Sequence, residues 1–152
     1  MQFNIKVIVA GGLAMYAAQF AVSMLTGPFI HEGVLLESYQ ANASFWRPEL
    51  NQDPPDMAAL MPRWIAVGVI AAFILAGIFD NIRGGLDGSM LVRGVKYGFI
   101  LFLVNLCISA GWSGVFNLPE TIWVWWNAEA LLYYVVGGAV LGWVTGRLAP
   151  TP

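Results

Sequence analysis

Apolar residues fall into four long blocks, 7–30, 60–79, 95–116 and 122–145, and the stretches between them carry most of the charge. A helix rises 1.5 Å per residue, so about 20 apolar residues cross about 30 Å of hydrocarbon. All four blocks meet or nearly meet that length. None alternates with the period of two that a membrane barrel requires. The pattern predicts an all-α, polytopic membrane protein with four transmembrane helices in a bundle. They form a single membrane domain across 1–152, with one sizeable polar segment, 31–57. The first half of that segment, 33–43, can prolong the first helix beyond the membrane. The second half holds Pro48, Pro54 and Pro55 and is expected to be irregular. The loop 80–92 is short and Gly-rich, which makes the second and third helices neighbours.

Composition agrees with this reading. The chain is 59% hydrophobic and 11% charged, against about 25% charged in ordinary soluble domains. A net charge of −2 offers no basic field to nucleic acid. The first block is longer than the apolar core of a signal peptide and is expected to be retained. Lys6, Arg83, Arg93, Lys96 and Arg147 fall on one side of the predicted membrane, and only Arg47 and Arg63 on the other. The positive-inside rule then places both termini in the cytoplasm. Trp46, Trp64, Trp112, Trp123, Trp125 and Trp126 gather on the opposite, outer side, where indoles favour the interface.

Few residues could carry chemistry. Glu129 is the one carboxylate inside a block, and an ionisable group there is a functional candidate by default. Counting back from Arg147 puts it a few ångströms inside the outer boundary, where Arg63 is the expected ion-pair partner. Asn105 lies roughly 13 Å in from Lys96 at 1.5 Å per residue, and Gln19 stands at a similar level counted from Lys6. Both read first as hydrogen-bonding glue between helices and second as a site for a small ligand or quinone head. His31, the single histidine, reads first as an interfacial cap beside Glu32. Its second reading is a metal, haem or quinone contact. A zinc site needs three or four ligands. With one histidine and one cysteine, Cys107, neither a disulfide nor a metal site is expected, and no haem or other cofactor of the chain's own; bound lipid remains compatible. Asn42-Ala43-Ser44 matches a glycosylation acceptor without other signs of a secreted eukaryotic chain. No phosphate loop, nucleophile elbow or HExxH helix occurs.

Small residues give the clearest pattern. Gly138, Gly142 and Gly146 recur every four residues on the fourth helix, Gly94 and Gly98 on the third, and Ala10, Ala14 and Ala18 on the first. Such stripes let helix backbones approach closely. They serve either the bundle itself or another membrane protein. For the fourth helix a partner protein is the expected neighbour.

The turn Pro28-Phe29-Ile30-His31 leads to Leu35, Leu36 and Tyr39. With Phe45-Trp46-Arg47-Pro48, the segment Arg93-Gly94-Val95-Lys96-Tyr97-Gly98 and the Gly-rich end of the fourth helix, it resembles small four-helix inner-membrane proteins of bacteria. The resemblance covers about half the chain. It implies a bacterial inner-membrane location and a shared outer face around His31 and the Trp46-Arg47-Pro48 turn, and it carries no activity. The function expected first is a non-catalytic accessory, assembly or structural subunit of a larger membrane complex, such as a respiratory or photosynthetic one. Its partners would be lipids and other subunits or further copies of itself. A small oligomeric transporter or channel comes second, and a quinone- or lipid-binding membrane protein third.

Overall fold

The computed structural model describes residues 3–149. It is 85% helical, with no strand among the described residues. Four helices are long and apolar enough to cross a membrane: Val7–Val34, Met57–Gly85, Met90–Ser113 and Glu120–Leu148. The first span consists of α1 (Gly12–Phe29) continued at either end by single π-helical turns, Val7–Gly11 and Ile30–Val34. A short α2 (Leu36–Ala41) follows, then α3 (Met57–Ile82), α4 (Met90–Ser113) and α5 (Glu120–Leu148).

The helices run past the apolar blocks by a few residues at most ends, though α4 stops at Ser113, and side chains cap two of the starts. Asp56 Oδ1 accepts the Ala59 N–H at 3.1 Å, and Ser89 Oγ lies 3.4 Å from the Val92 N–H. The connecting segment is correspondingly shorter than 31–57. His31 stands inside the first span, not beyond it. Pro28 has no N–H to donate, and the helix passes it by widening: the Leu35 N–H reaches back five residues to the Ile30 carbonyl at 2.9 Å.

Packing is closest between α4 and α5. A Cβ built on Gly94 would overlap the Gly138 carbonyl oxygen and approach Gly142 Cα to 2.9 Å. One on Gly98 would overlap the Tyr134 carbonyl, and one on Gly142 the Met90 carbonyl. The glycine face of α5 is therefore filled from within the chain, against the expectation of a partner protein. The small residues of both helices meet one another, so the close approach is used up inside the bundle. On the first span the buried stripe is Val7, Gly11, Met15 and Gln19; Ala10 is exposed. Gly11 faces Leu141 of α5, and Gly12 faces Phe73 and Ala72 of α3. The first span thus sits between α3 and α5.

Two buried clusters organise the molecule. Met15, Ala76, Phe79, Tyr97 and Leu141 form the first, within the bundle. There the Tyr97 hydroxyl donates to the Leu75 carbonyl at 2.8 Å, a long side chain reaching from α4 to α3, while the backbones of α3 and α4 hardly meet and α4 packs on α5 instead. Ile30, Leu35, Leu118, Ile122 and Trp123 form the second, beneath residues 35–56. The end bearing those residues is the loop end, and the opposite one the terminal end. At the terminal end the Asp80 side chain, 5% exposed, pairs with Arg83 at 3.1 Å and accepts the Asn4 N–H at 2.8 Å. Arg83 also donates to the Ala149 carbonyl at 2.5 Å.

Candidate functional site

Glu129 lies on α5, two turns beyond the loop-end cluster. Its Oε1 accepts the Thr26 hydroxyl, and its Oε2 is 3.0 Å from His31 Nε2. The carboxylate is 14% exposed and the imidazole 38%. His31 Nδ1 is 2.8 Å from the Tyr39 hydroxyl, which accepts the Trp126 indole N–H at 2.8 Å. Trp46 in turn donates its indole N–H to the Tyr39 carbonyl at 2.9 Å.

Donor and acceptor capacity orders this chain. Trp126 can only donate, so the Tyr39 oxygen accepts there and its own proton is free for His31 Nδ1. His31 Nε2–H then donates to Glu129. A neutral imidazole satisfies every atom. Burial pushes the Tyr39 phenol above its ordinary pKa, and the charge of Glu129 adds to the rise, while the Trp126 hydrogen bond opposes it. Tyr39 therefore keeps the proton this arrangement needs. The network ties α1, α2 and α5 together under the polar segment.

The expected ion pair between Arg63 and Glu129 does not form. Arg63 is exposed on α3, and Glu129 turns its oxygens to Thr26 and His31 of the first span, which stands between the two helices. A count along the helix sets depth and leaves open which neighbour the side chain turns to.

A second polar group lies on another side of α5. The Asn127 amide donates to Ser109 Oγ at 2.8 Å and to the Trp123 carbonyl at 2.7 Å, and its Oδ1 accepts from Asn105 at 3.3 Å. Asn105, Ser109 and Asn127, with Ile108, Trp112, Trp123, Trp126 and Ala130, line a half-open groove of about 240 Å³ between α4 and α5. It lies on the loop-end side of the glycine contacts at Gly98 and Gly138. Trp126 joins the two polar groups, since its ring walls the groove and its N–H reaches Tyr39.

The structure thus brings His31 to Glu129 and Asn105 to Asn127. It leaves Gln19 apart: that side chain is buried against Gly137, with no partner for Nε2 among the described residues. Thr26, Tyr39, Trp126 and Asn127 were not singled out from sequence. Threonine is tolerated in any span, and the tryptophans read as interface markers. The nearest signal was the polar alignment of Asn105 and Ser109, one turn apart. Among the described residues no three His, Cys, Asp or Glu side chains come together as a metal site. The chain matches no family model, no curated protein and no solved structure, so the reading of this site rests on its own geometry.

Proposed function

We propose that this protein is a membrane-embedded binding protein that holds the polar head of a membrane-dissolved amphiphile, a quinone or a lipid, between α4 and α5 near the loop end. The observation that carries this reading is the groove itself. It has hydrogen-bonding side chains on its floor, three tryptophans in its walls and an open side. Concave, mostly apolar sites with a few convergent polar groups are where small ligands bind. The Lys and Arg bias supports both termini in the cytoplasm and the groove in the outer leaflet, and the bacterial inner membrane is what the resemblance implies.

The role of accessory subunit loses its first support, because the glycine stripe packs inside the chain. It keeps one observation in its favour. Residues 62–67 of α3 are exposed on every side of the helix, Arg63 and Trp64 among them, which suits a neighbouring subunit. A transport path gains no support: the polar side chains of the α4–α5 seam lie toward the loop end, and glycines close the seam beyond them.

The test is purification in mild detergent, followed by solvent extraction and mass spectrometry. One amphiphile per chain should be enriched with the wild type and lost from Asn105→Leu, which fills the groove with a side chain the bilayer favours. Equal, non-stoichiometric lipid in both would overturn the proposal.

A further inference from the structure

The unspent hydrogen-bonding capacity of the groove specifies its ligand. Asn127 uses both amide protons on Ser109 and Trp123, and its oxygen on Asn105. Asn105 spends one N–H on Asn127, and its other N–H has no partner among the described residues. Ser109 accepts from Asn127 and leaves its own O–H to give. Trp123 lines the groove with its ring, but its indole N–H is buried out of a ligand's reach. Trp112, half exposed in the same lining, has an indole N–H with no acceptor among the described residues. With Asn105 and Ser109, three donors are thus left over, against a single side-chain carbonyl, that of Asn105.

No charged residue lines the groove. Glu129, two residues from Asn127, has its oxygens committed to Thr26 and His31. A charged head entering the groove would give up water for a lining that offers no counter-charge. A cavity of about 150 Å³ holds benzene, so about 240 Å³ admits one substituted ring or the ester region of a lipid. Three indoles provide apolar faces for either.

We infer that the groove takes an uncharged head whose hydrogen-bonding atoms are carbonyl oxygens. This rests on the binding reading above. Two sources carry that chemistry, a quinone ring and the ester carbonyls of a neutral glycerolipid. The carbonyls accept from Asn105, Ser109 and Trp112, and the tail leaves through the open side into lipid.

The experiment loads the full-length protein in nanodiscs and counts bound probe by native mass spectrometry. The probes are a decyl-substituted benzoquinone, dioctanoylglycerol, dodecyl phosphate and dodecyltrimethylammonium. Saturable binding of one benzoquinone or one dioctanoylglycerol per chain, with neither charged probe retained, is expected. Whichever of the two binds identifies the source. Trp112→Phe keeps an aromatic ring and removes the N–H, and should weaken the carbonyl probe about fivefold, the worth of one neutral hydrogen bond. Ser109→Ala should do the same without loss of helix content. Preferential retention of a charged probe, or carbonyl binding indifferent to both substitutions, overturns the inference while the binding reading stands. Saturable binding of no probe overturns both.

Discussion

The two halves of the seam between α4 and α5 solve opposite problems with the same two helices. Toward the terminal end, Gly94 and Gly98 meet Gly138 and Gly142 so closely that a Cβ on Gly94, Gly98 or Gly142 would strike backbone. Lipid is as apolar as leucine, so no hydrophobic drive holds helices together there, and backbone contact supplies the attraction. Toward the loop end, Asn105, Ser109 and Asn127 join the helices with hydrogen bonds instead, and tryptophans flank a groove beside them. The half held by glycines is closed, and the half held by side chains is open.

The sharpest way to break this contrast is to put bulk into the closed half. Gly138→Leu should destabilise the fold by about 3 kcal/mol or more, since its side chain must displace the Gly94 and Gly98 backbone. A thermal unfolding midpoint in detergent measures it, and an unchanged midpoint would mean the seam is not where the helices lock. The next effect belongs to the loop end. Glu129→Leu strands the His31 Nε2–H and should cost about 2 kcal/mol. Glu129→Gln should cost about 1 kcal/mol or less, because the new amide oxygen can still accept from His31 Nε2–H and its N–H can donate to the Thr26 oxygen. Equal losses for the two would contradict the hydrogen-bond order given for this network. A smaller change of opposite sign is expected in the open half. A Cβ on Gly111 meets nothing, so Gly111→Ala should be neutral or stabilising by about 0.5 kcal/mol, since alanine is the better helix former.

The smallest expected effect is a response to alkali. The folded pKa of Tyr39 is raised. Folded and unfolded chains are then equally protonated below about pH 10, the ordinary tyrosine value. Above it the unfolded chain loses its proton first, and stability falls as pH rises through the folded value. Emission from Trp46 and Trp126, both bonded to Tyr39, should shift above that pH in the wild type. In Tyr39→Phe the hydroxyl-dependent part of that shift should disappear.

The four spans were legible in the sequence because lipid enforces long apolar blocks whatever the packing. Their ends were less so: Asp56 and Ser89 cap α3 and α4, and a polar residue beside an apolar block reads as loop as readily as cap. Glu129, His31 and Asn105 were legible as residues but not as partners. A count along a helix gives depth and leaves rotation open. Arg63 and His31 were both plausible by level, and what chose between them was the first span lying between α3 and α5. The widened turn after Pro28, which carries His31, has no signature beyond the proline itself. The glycine stripes announced close contact without saying with what, since a small-residue face looks the same whether its neighbour belongs to the same chain or another.

The pairing of Asp80 with Arg83 has a consequence for how the chain can be rearranged. Asn4 is held by Asp80 and Ala149 by Arg83, so the first and last described turns are stitched to one another through a single short stretch of α3 and its exit. A peptide of a few residues could bridge them. A circular permutant closed there and opened among residues 51–54 would keep every span and every side-chain contact described. The first span would then be made last, after α5, and both new ends would lie at the loop end. Translation order and final architecture would be separated in one molecule, and the Lys and Arg on the terminal-end turns would have to set its orientation without a terminus to lead.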